Sequence, residues 1–486
     1  MKISRGHVIT GLLLLGVLVE ATSALEWAAY PYFPDKSLLF ARIDASILNA
    51  LAPFSPTLLI LLLYTWPIVL AASLNNRFSK RFRSYLTWLA KPLLQVSSRV
   101  PSNSQARLAL TNRPRLLLLL AIAAAALLGI VPYRPDLNPS MNPVGVDAHF
   151  YVDAVSQMLQ RTPESAISYA LGNVWASSRP LLLVPMYLAA LTGLVSVNQT
   201  VEALPAILGP LLAMSTFVLV REGSGSEPVA AIASIFSALS FTATVGMWAG
   251  FYANWLALSL AYLFLAVFLS FLRESSRSKF IAMTLLSVSL LLAHPWTWLL
   301  TLTIGIIFMA TIWRYAGKAV MVKPFVILLA INIIIDLARS QVFGGPVATQ
   351  DASASLSQSG ISQTLNFWPN ILSGLFSAYG GLLGNAILLA LSVITMLFLR
   401  FENKFERVLT LWVVTGSIPF LFVSSLIQTR IIYDMPLPIM ASAALFFLIR
   451  PLRSSPTNCT LAALLLILLT ANYALRAVTN LVSPPF

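Results

Sequence analysis

Apolar runs, each about as long as a bilayer is thick, follow one another along the chain, and this pattern limits what it can fold into. A helix needs about 20 mostly apolar residues to cross a hydrocarbon core. Runs approaching that length lie near residues 8–25, 54–72, 115–132, 203–220, 228–248, 255–272, 280–294, 296–313, 324–338, 380–399, 408–426, 435–449 and 460–475. Of the 486 residues, 58% are hydrophobic and only 10% charged, and mean hydropathy is +0.82. A soluble domain carries roughly a quarter charged residues, so too few polar groups remain here to cover a globule in water. The expected fold class is an all-α integral membrane protein with about thirteen transmembrane helices.

The net charge of +14 would suit a nucleic-acid partner if it were gathered on one surface. It is instead distributed by loop. With the N-terminus inside, the inner loops hold 23 of the 31 Lys and Arg, and 12 of the 17 acids fall outside or near that edge. Short cytoplasmic loops are enriched in Lys and Arg. The alternation therefore predicts a cytoplasmic N-terminus in a multi-pass cell-membrane protein, with no nucleic-acid partner. The first run resembles a signal peptide, with Lys2 and Arg5 before a leucine run and small residues at Ala21 to Ala24. Retaining it as a span keeps the charge phase intact. A single cysteine, Cys459, excludes an internal disulfide framework and a cysteine-rich metal site.

Two segments stand apart. The inner segment Leu74–Asn112 is rich in Arg and Lys and has no acid, which anchors topology or binds anionic lipid. The outer segment 339–379 is rich in Ser, Gly, Gln and Asn and is long for a structureless loop, as a lid or binding loop would be. Charges within the runs are nearly absent: Glu20 and Asp336 sit near run ends and read as interfacial. Neither midplane charge nor repeated halves are visible, so little suggests a transporter. The polar chemistry collects in the outer loops.

The richest of these lies between 133 and 202, and within it Val144–Gln160 reads as an amphipathic helix starting at or just before Asp147. At 3.6 residues per turn, Asp147 and Tyr151 share one face, while His149 and Asp153 share another. Asp147 could present a carboxylate beside the tyrosine or simply cap the helix. His149 and Asp153, with Asp147, could ligate a divalent metal, although metal sites need three or four ligands. His294 sits at a turn between two runs, beside Trp296 and Trp298, which could stack on a sugar or anchor the interface.

The order of landmarks from Leu116 to Ser270 resembles the GT-C membrane glycosyltransferases. Asp147-Ala148-His149-Phe150-Tyr151 is similar to that family's Asp-Glu followed by tyrosine, with Ala154 and Met158-Leu159 continuing the helix. Arg179-Pro180-Leu181 opens an apolar segment similar to the family's outer-surface helix, so residues 180–197 are expected to stay outside despite their apolarity. Val201–Glu222 resembles the next membrane helix. The family's Glu is Ala148 here, and Asn254 stands where a second Asp is often found.

The resemblance implies a GT-C-like domain over 114–486, with outer-face amphipathic helices in its first large outer loop, preceded by a two-helix extension over 1–113 carrying the basic cytoplasmic loop. It implies an inverting transfer of sugar from a polyprenyl-phosphate donor to a protein, lipid or glycan acceptor on the extracytoplasmic face, amid membrane lipids. Asp147 would be the catalytic base. Tyr151, His149, Arg179, Asn254, His294 and Arg430 would bind substrate, Arg430 meeting the donor phosphate unless it serves as a partner for Asp434. No cofactor is required by this reading, and a divalent metal is the one candidate. The rival expectations are a polytopic transporter or lipid flippase, and a non-catalytic GT-C-like scaffold.

Overall fold

The computed structural model describes residues 5–29, 38–63, 113–172, 179–316, 322–345, 347, 375–398, 403–420, 425–449, 452 and 455–481. The basic segment Leu74–Asn112 and most of the loop expected over 339–379 lie outside the described residues. Among those described, every regular element is a helix. In chain order they are α1 (Arg5–Ala29), α2 (Leu39–Leu51), α3 (Phe54–Leu63), α4 (Pro114–Ile130), α5 (Ala148–Leu159), α6 (Pro163–Gly172), α7 (Pro180–Leu191), α8 (Val197–Glu202), α9 (Leu204–Ser224) and α10 (Glu227–Ala238). There follow α11 (Phe241–Ala249), α12 (Tyr252–Arg273), α13 (Arg277–Ala293), α14 (Pro295–Ala316), α15 (Val322–Phe343), α16 (Ala386–Phe398), α17 (Lys404–Phe420), α18 (Ser425–Tyr433), α19 (Leu437–Leu448) and α20 (Pro456–Thr479).

Serine starts many of them. The side chains of Ser196, Ser226, Ser240, Ser276 and Ser455 each accept from a backbone N–H of the first turn, satisfying donors that a new helix leaves unpaired. Among the described residues, seven stretches are long and apolar enough to cross a membrane: His7–Ala29, Pro114–Tyr133, Val197–Ser224, Glu227–Ala249, Tyr252–Arg273, Val322–Phe343 and Pro456–Thr479. The pair α2 and α3, bent by 40°, makes an eighth if it is one span. Several remaining apolar runs become shorter helices, among them α16 and α19. The segment 180–197 holds α7, whose 12 residues extend about 18 Å, too short to span.

Small side chains let the central helices approach closely, as expected where lipid supplies no hydrophobic drive between helices. On α10, Ala230, Ala231, Ala233, Ser234, Ser237 and Ala238 are all buried. Ser234 donates to the Ala213 carbonyl and Thr216 donates to Ser237, joining α9 to α10. Gly129 at the end of α4 has no room for a Cβ, which would lie 2.6 Å from the α9 backbone. Helix α12 lies at the centre, and its 22 residues extend about 33 Å. Asn254 is near its first turn. Its last residue, Arg273, pairs with Glu222 at the other end of the bundle, where Arg221–Glu227 and Lys279–Glu274 also lie.

The two charges expected near run ends, Glu20 and Asp336, are buried in the protein and paired. Glu20 accepts from Asn472 of α20 at 2.6 Å, and Asp336 pairs with Arg339 at 2.7 Å. A further pair escaped sequence reasoning altogether: Asp44 of α2 accepts from Arg476 of α20 at 2.8 and 2.9 Å. The Glu20 and Asp44 contacts fasten the N-terminal helices to the last one.

Candidate functional site

Helix α5 begins at Ala148, one residue later than the sequence pattern predicts, with Asp147 at its N-cap. The Asp147 side chain, however, makes no capping hydrogen bond. Its position is set by the backbone: Val146 and Asp147 donate to the Trp248 and Ala249 carbonyls at the end of α11, both at 3.0 Å. Two glycines make this approach feasible. Gly145 has φ +122° and a Cβ there would sit 2.6 Å from the Met247 carbonyl oxygen, while a Cβ on Gly250, with φ +70°, would lie 3.0 Å from the Asp147 and Ala148 amide nitrogens. Tyr133 and Tyr252 grip the same segment, accepting from the Val144 N–H and donating to its carbonyl.

Across the chain, Arg430 near the end of α18 donates from Nη2 to Asp147 Oδ2 at 3.3 Å. Its guanidinium lies 5.3 Å from the centre of the Phe251 ring, a cation–π contact. Arg430 Nε is buried and has no hydrogen-bond partner among the described residues. Arg179, immediately before α7, donates to the Tyr151 hydroxyl at 3.2 Å, which also accepts from the Ala253 amide. The two guanidiniums are electrostatic neighbours: burial and then Arg179 lower the Arg430 pKa, while Asp147 opposes the shift.

A second group adjoins them. His294, in the turn between α13 and α14, places Nδ1 at 3.1 Å from Thr297 Oγ1. Thr297 donates to Asp434 Oδ2 at 2.7 Å, and Asn254 donates weakly to Asp434 Oδ1 at 3.5 Å. Burial pushes the Asp434 carboxyl up to about 7, against the lowering effects of Thr297, Asn254 and Arg430. His294 is held well below its ordinary value by burial, then by Arg430 and Arg179.

The structure thus brings together Asp147, Tyr151, Arg179, Asn254, His294 and Arg430. It leaves His149 and Asp153 exposed on the other face of α5. Among the described residues no three His, Cys, Asp or Glu side chains form a group able to hold a metal. Around Asp147 the donor set suits an anion better than a divalent cation, because its charged partner is a guanidinium. Trp298 is buried and donates to Asn332, serving packing rather than sugar stacking, whereas Trp296 is only partly buried and rests on Ile431 beside Arg430.

Sequence reasoning read Asp434 only as a structural partner for Arg430, and it missed Thr297, Phe251 and the two positioning glycines. The Gly-Phe-Tyr-Ala-Asn run at 250–254 offered a signal, since a glycine before a helix often marks a close backbone approach. A cavity of about 280 Å³ among Val220, Phe405, Leu409 and Phe447 lies toward the other end of the bundle and is no part of this cluster.

No family model matches the chain. A search of curated proteins likewise finds no match.

Proposed function

We propose that this protein is a membrane glycosyltransferase of GT-C type, with about thirteen membrane-embedded helices, that moves a sugar from a polyprenyl-phosphate donor to an acceptor on the extracytoplasmic face. One observation carries the reading. A carboxylate, Asp147, meets the Arg430 guanidinium, which has Arg179 as an electrostatic neighbour, and the Arg430 Nε has no partner among the described residues. The two neighbouring guanidiniums make a positive patch beside Asp147, and arginine matches phosphate oxygens with paired N–H groups.

In this reaction Asp147 accepts the proton of the acceptor hydroxyl as its oxygen forms a bond to the anomeric carbon from the side opposite the phosphate. The carbon–oxygen bond to phosphate breaks, its electrons stay on the phosphate, and the configuration inverts. Arg430 and Arg179 hold the charge that develops there. Asp147 engages Arg430 through Oδ2, leaving Oδ1 for the proton. Ala148 supplies no second carboxylate beside Asp147, and Asn254 is occupied with Thr297 and Asp434, so no step runs through a metal.

Transfer of labelled sugar from polyprenyl-phosphate donors in membranes tests this, comparing the wild type with Asp147→Asn. Equal transfer by both removes Asp147 as the base. No transfer from any donor by folded protein favours the scaffold. The buried pairs Asp44–Arg476 and Asp336–Arg339 favour a second reading, a lipid flippase, because ionisable groups among membrane helices often mark a transport path. Movement of a lipid-linked sugar across sealed vesicles without transfer to an acceptor would support it.

A further inference from the structure

Thr297 has one hydroxyl proton and two polar neighbours that compete for it. Its Oγ1 lies 2.7 Å from Asp434 Oδ2 and 3.1 Å from His294 Nδ1. When Asp434 is ionised, Thr297 must donate to it, and the histidine contact then requires the ring proton on Nδ1, which leaves Nε2 bare. When Asp434 is protonated, it donates to Thr297, Thr297 donates to Nδ1, and Nε2 carries the ring proton. The Thr297 amide, 3.4 Å from Nδ1, supports the second arrangement. The charge on Asp434 therefore sets the tautomer of a ring that it reaches only through Thr297.

We propose that Asp434, Thr297 and His294 form a proton relay that passes a proton from the Asp434 carboxyl, by way of His294 Nε2, to the phosphate released from the sugar. The phosphate end rests on the glycosyl-transfer reading; the coupling between the three side chains does not. As the bond between sugar and phosphate breaks, the Nε2 proton moves to a phosphate oxygen, the Thr297 proton moves to Nδ1, and the Asp434 proton moves to Thr297 Oγ1. One proton leaves Asp434 and one arrives at phosphate. Thr297 and the imidazole end neutral, as they began, and Asp434 ends as a carboxylate hydrogen-bonded by Thr297.

The surroundings call for a relay of this kind. Arg430 and Arg179 are the charged neighbours of the His294 ring, so an imidazolium there would be repelled by both. The relay moves a proton without ever forming one. The groups facing Asp434 are Arg430 from α18, Asn254 and Tyr262 from α12, Thr297 from α14, and the phenols of Tyr379 and Tyr433. With its carboxyl pushed up to about 7, Asp434 can both hold and release a proton near neutrality. Asn254, which donates to the other carboxylate oxygen, is then a positioning residue.

The chain has three histidines, His7, His149 and His294, so ¹⁵N-histidine NMR of the full-length protein in lipid nanodiscs can follow the ring directly, with His294→Gln assigning its signals. Between about pH 5.5 and 8.5, His294 is expected to stay neutral and pass from the Nε2–H to the Nδ1–H tautomer with a midpoint near 7. Thr297→Val should abolish the switch, Thr297→Ser should retain it, and Asp434→Asn should fix one tautomer at every pH. In the transfer assay Thr297→Val should lower kcat roughly 10²-fold and remove the inflection near neutral pH, with the KM for donor unchanged, while Thr297→Ser stays within about threefold. An imidazolium forming at His294 in this range, or a switch that survives Thr297→Val, overturns the relay. Transfer with an unswitching ring overturns the relay alone. A switching ring with no transfer from any donor overturns the glycosyl-transfer reading and the phosphate end, and leaves the three-residue coupling standing.

Discussion

The Asp44–Arg476 and Asp147–Arg430 pairs are built differently. At the seam between the N-terminal helices and the last helix, Arg476 gives Nε and Nη2 to Asp44 Oδ2 at 2.9 and 2.8 Å, with Nη2 also reaching Ser23 and the Ala41 carbonyl. Asp44 has no exposure at all. In the candidate site, Arg430 touches Asp147 through one nitrogen at 3.3 Å, both side chains keep nearly a fifth of their surface, and Arg430 Nε goes unsatisfied among the described residues. The first guanidinium is consumed by the fold. The second is held in place with hydrogen-bonding capacity left over, which is what a ligand-binding group requires.

Substitutions should separate the two pairs. The largest effect is expected for Asp147→Asn, which should lower sugar transfer by roughly 10²–10⁴-fold, while the melting temperature in detergent moves little. A matching loss of stability would make the site pair structural as well. Asp44→Ala should do the reverse, costing about 3–5 kcal/mol because it strands a buried guanidinium. Limited proteolysis should then release the N-terminal helices first. Arg430→Lys keeps the charge but loses the planar fork. It should weaken donor binding by about 1.5–3 kcal/mol, read as a raised KM for the lipid-phosphate substrate.

Gly250→Ala tests how the site is placed, since a side chain at φ +70° faces the Asp147 and Ala148 amides at 3.0 Å. It should cost about 1–2 kcal/mol and lower kcat, with Arg430 untouched. The mildest test is pH. The folded protein holds the Asp434 proton more tightly than the unfolded chain, whose carboxyl stays near its ordinary 3.8. This contribution to stability is complete below that value and is lost as pH rises toward 7. Melting curves of Asp434→Asn should lack that part of the slope.

Much of this was legible in the sequence wherever the signal was local. The apolar runs announced membrane helices. The spacing of Asp147 and Tyr151 placed both on one helix face, and arginines 179 and 430 were singled out through the resemblance. What the sequence withheld was pairing at long range. Asp44 and Arg476 sit 432 positions apart, and neither has a periodicity that betrays the other. Asp434 could be read only as a neighbour of Arg430, because its Thr297 contact depends on how α14 and α18 meet. Run length also says little about depth. An apolar stretch such as Pro180–Leu191 has the same composition whether it crosses the membrane or lies along its surface.

The seam between the first helices and the last has a consequence for biogenesis. Glu20 and Asp44 emerge from the ribosome long before Asn472 and Arg476, their partners in the finished fold. At synthesis rates of about 5–20 residues per second, the wait for a partner 432 residues later lasts on the order of 20–90 s. Through that interval two carboxyl groups must be kept at a wet boundary or shielded by the insertion machinery. Closure of this seam therefore waits until α20 has been made, and the N-terminal helices reach their final depth only then.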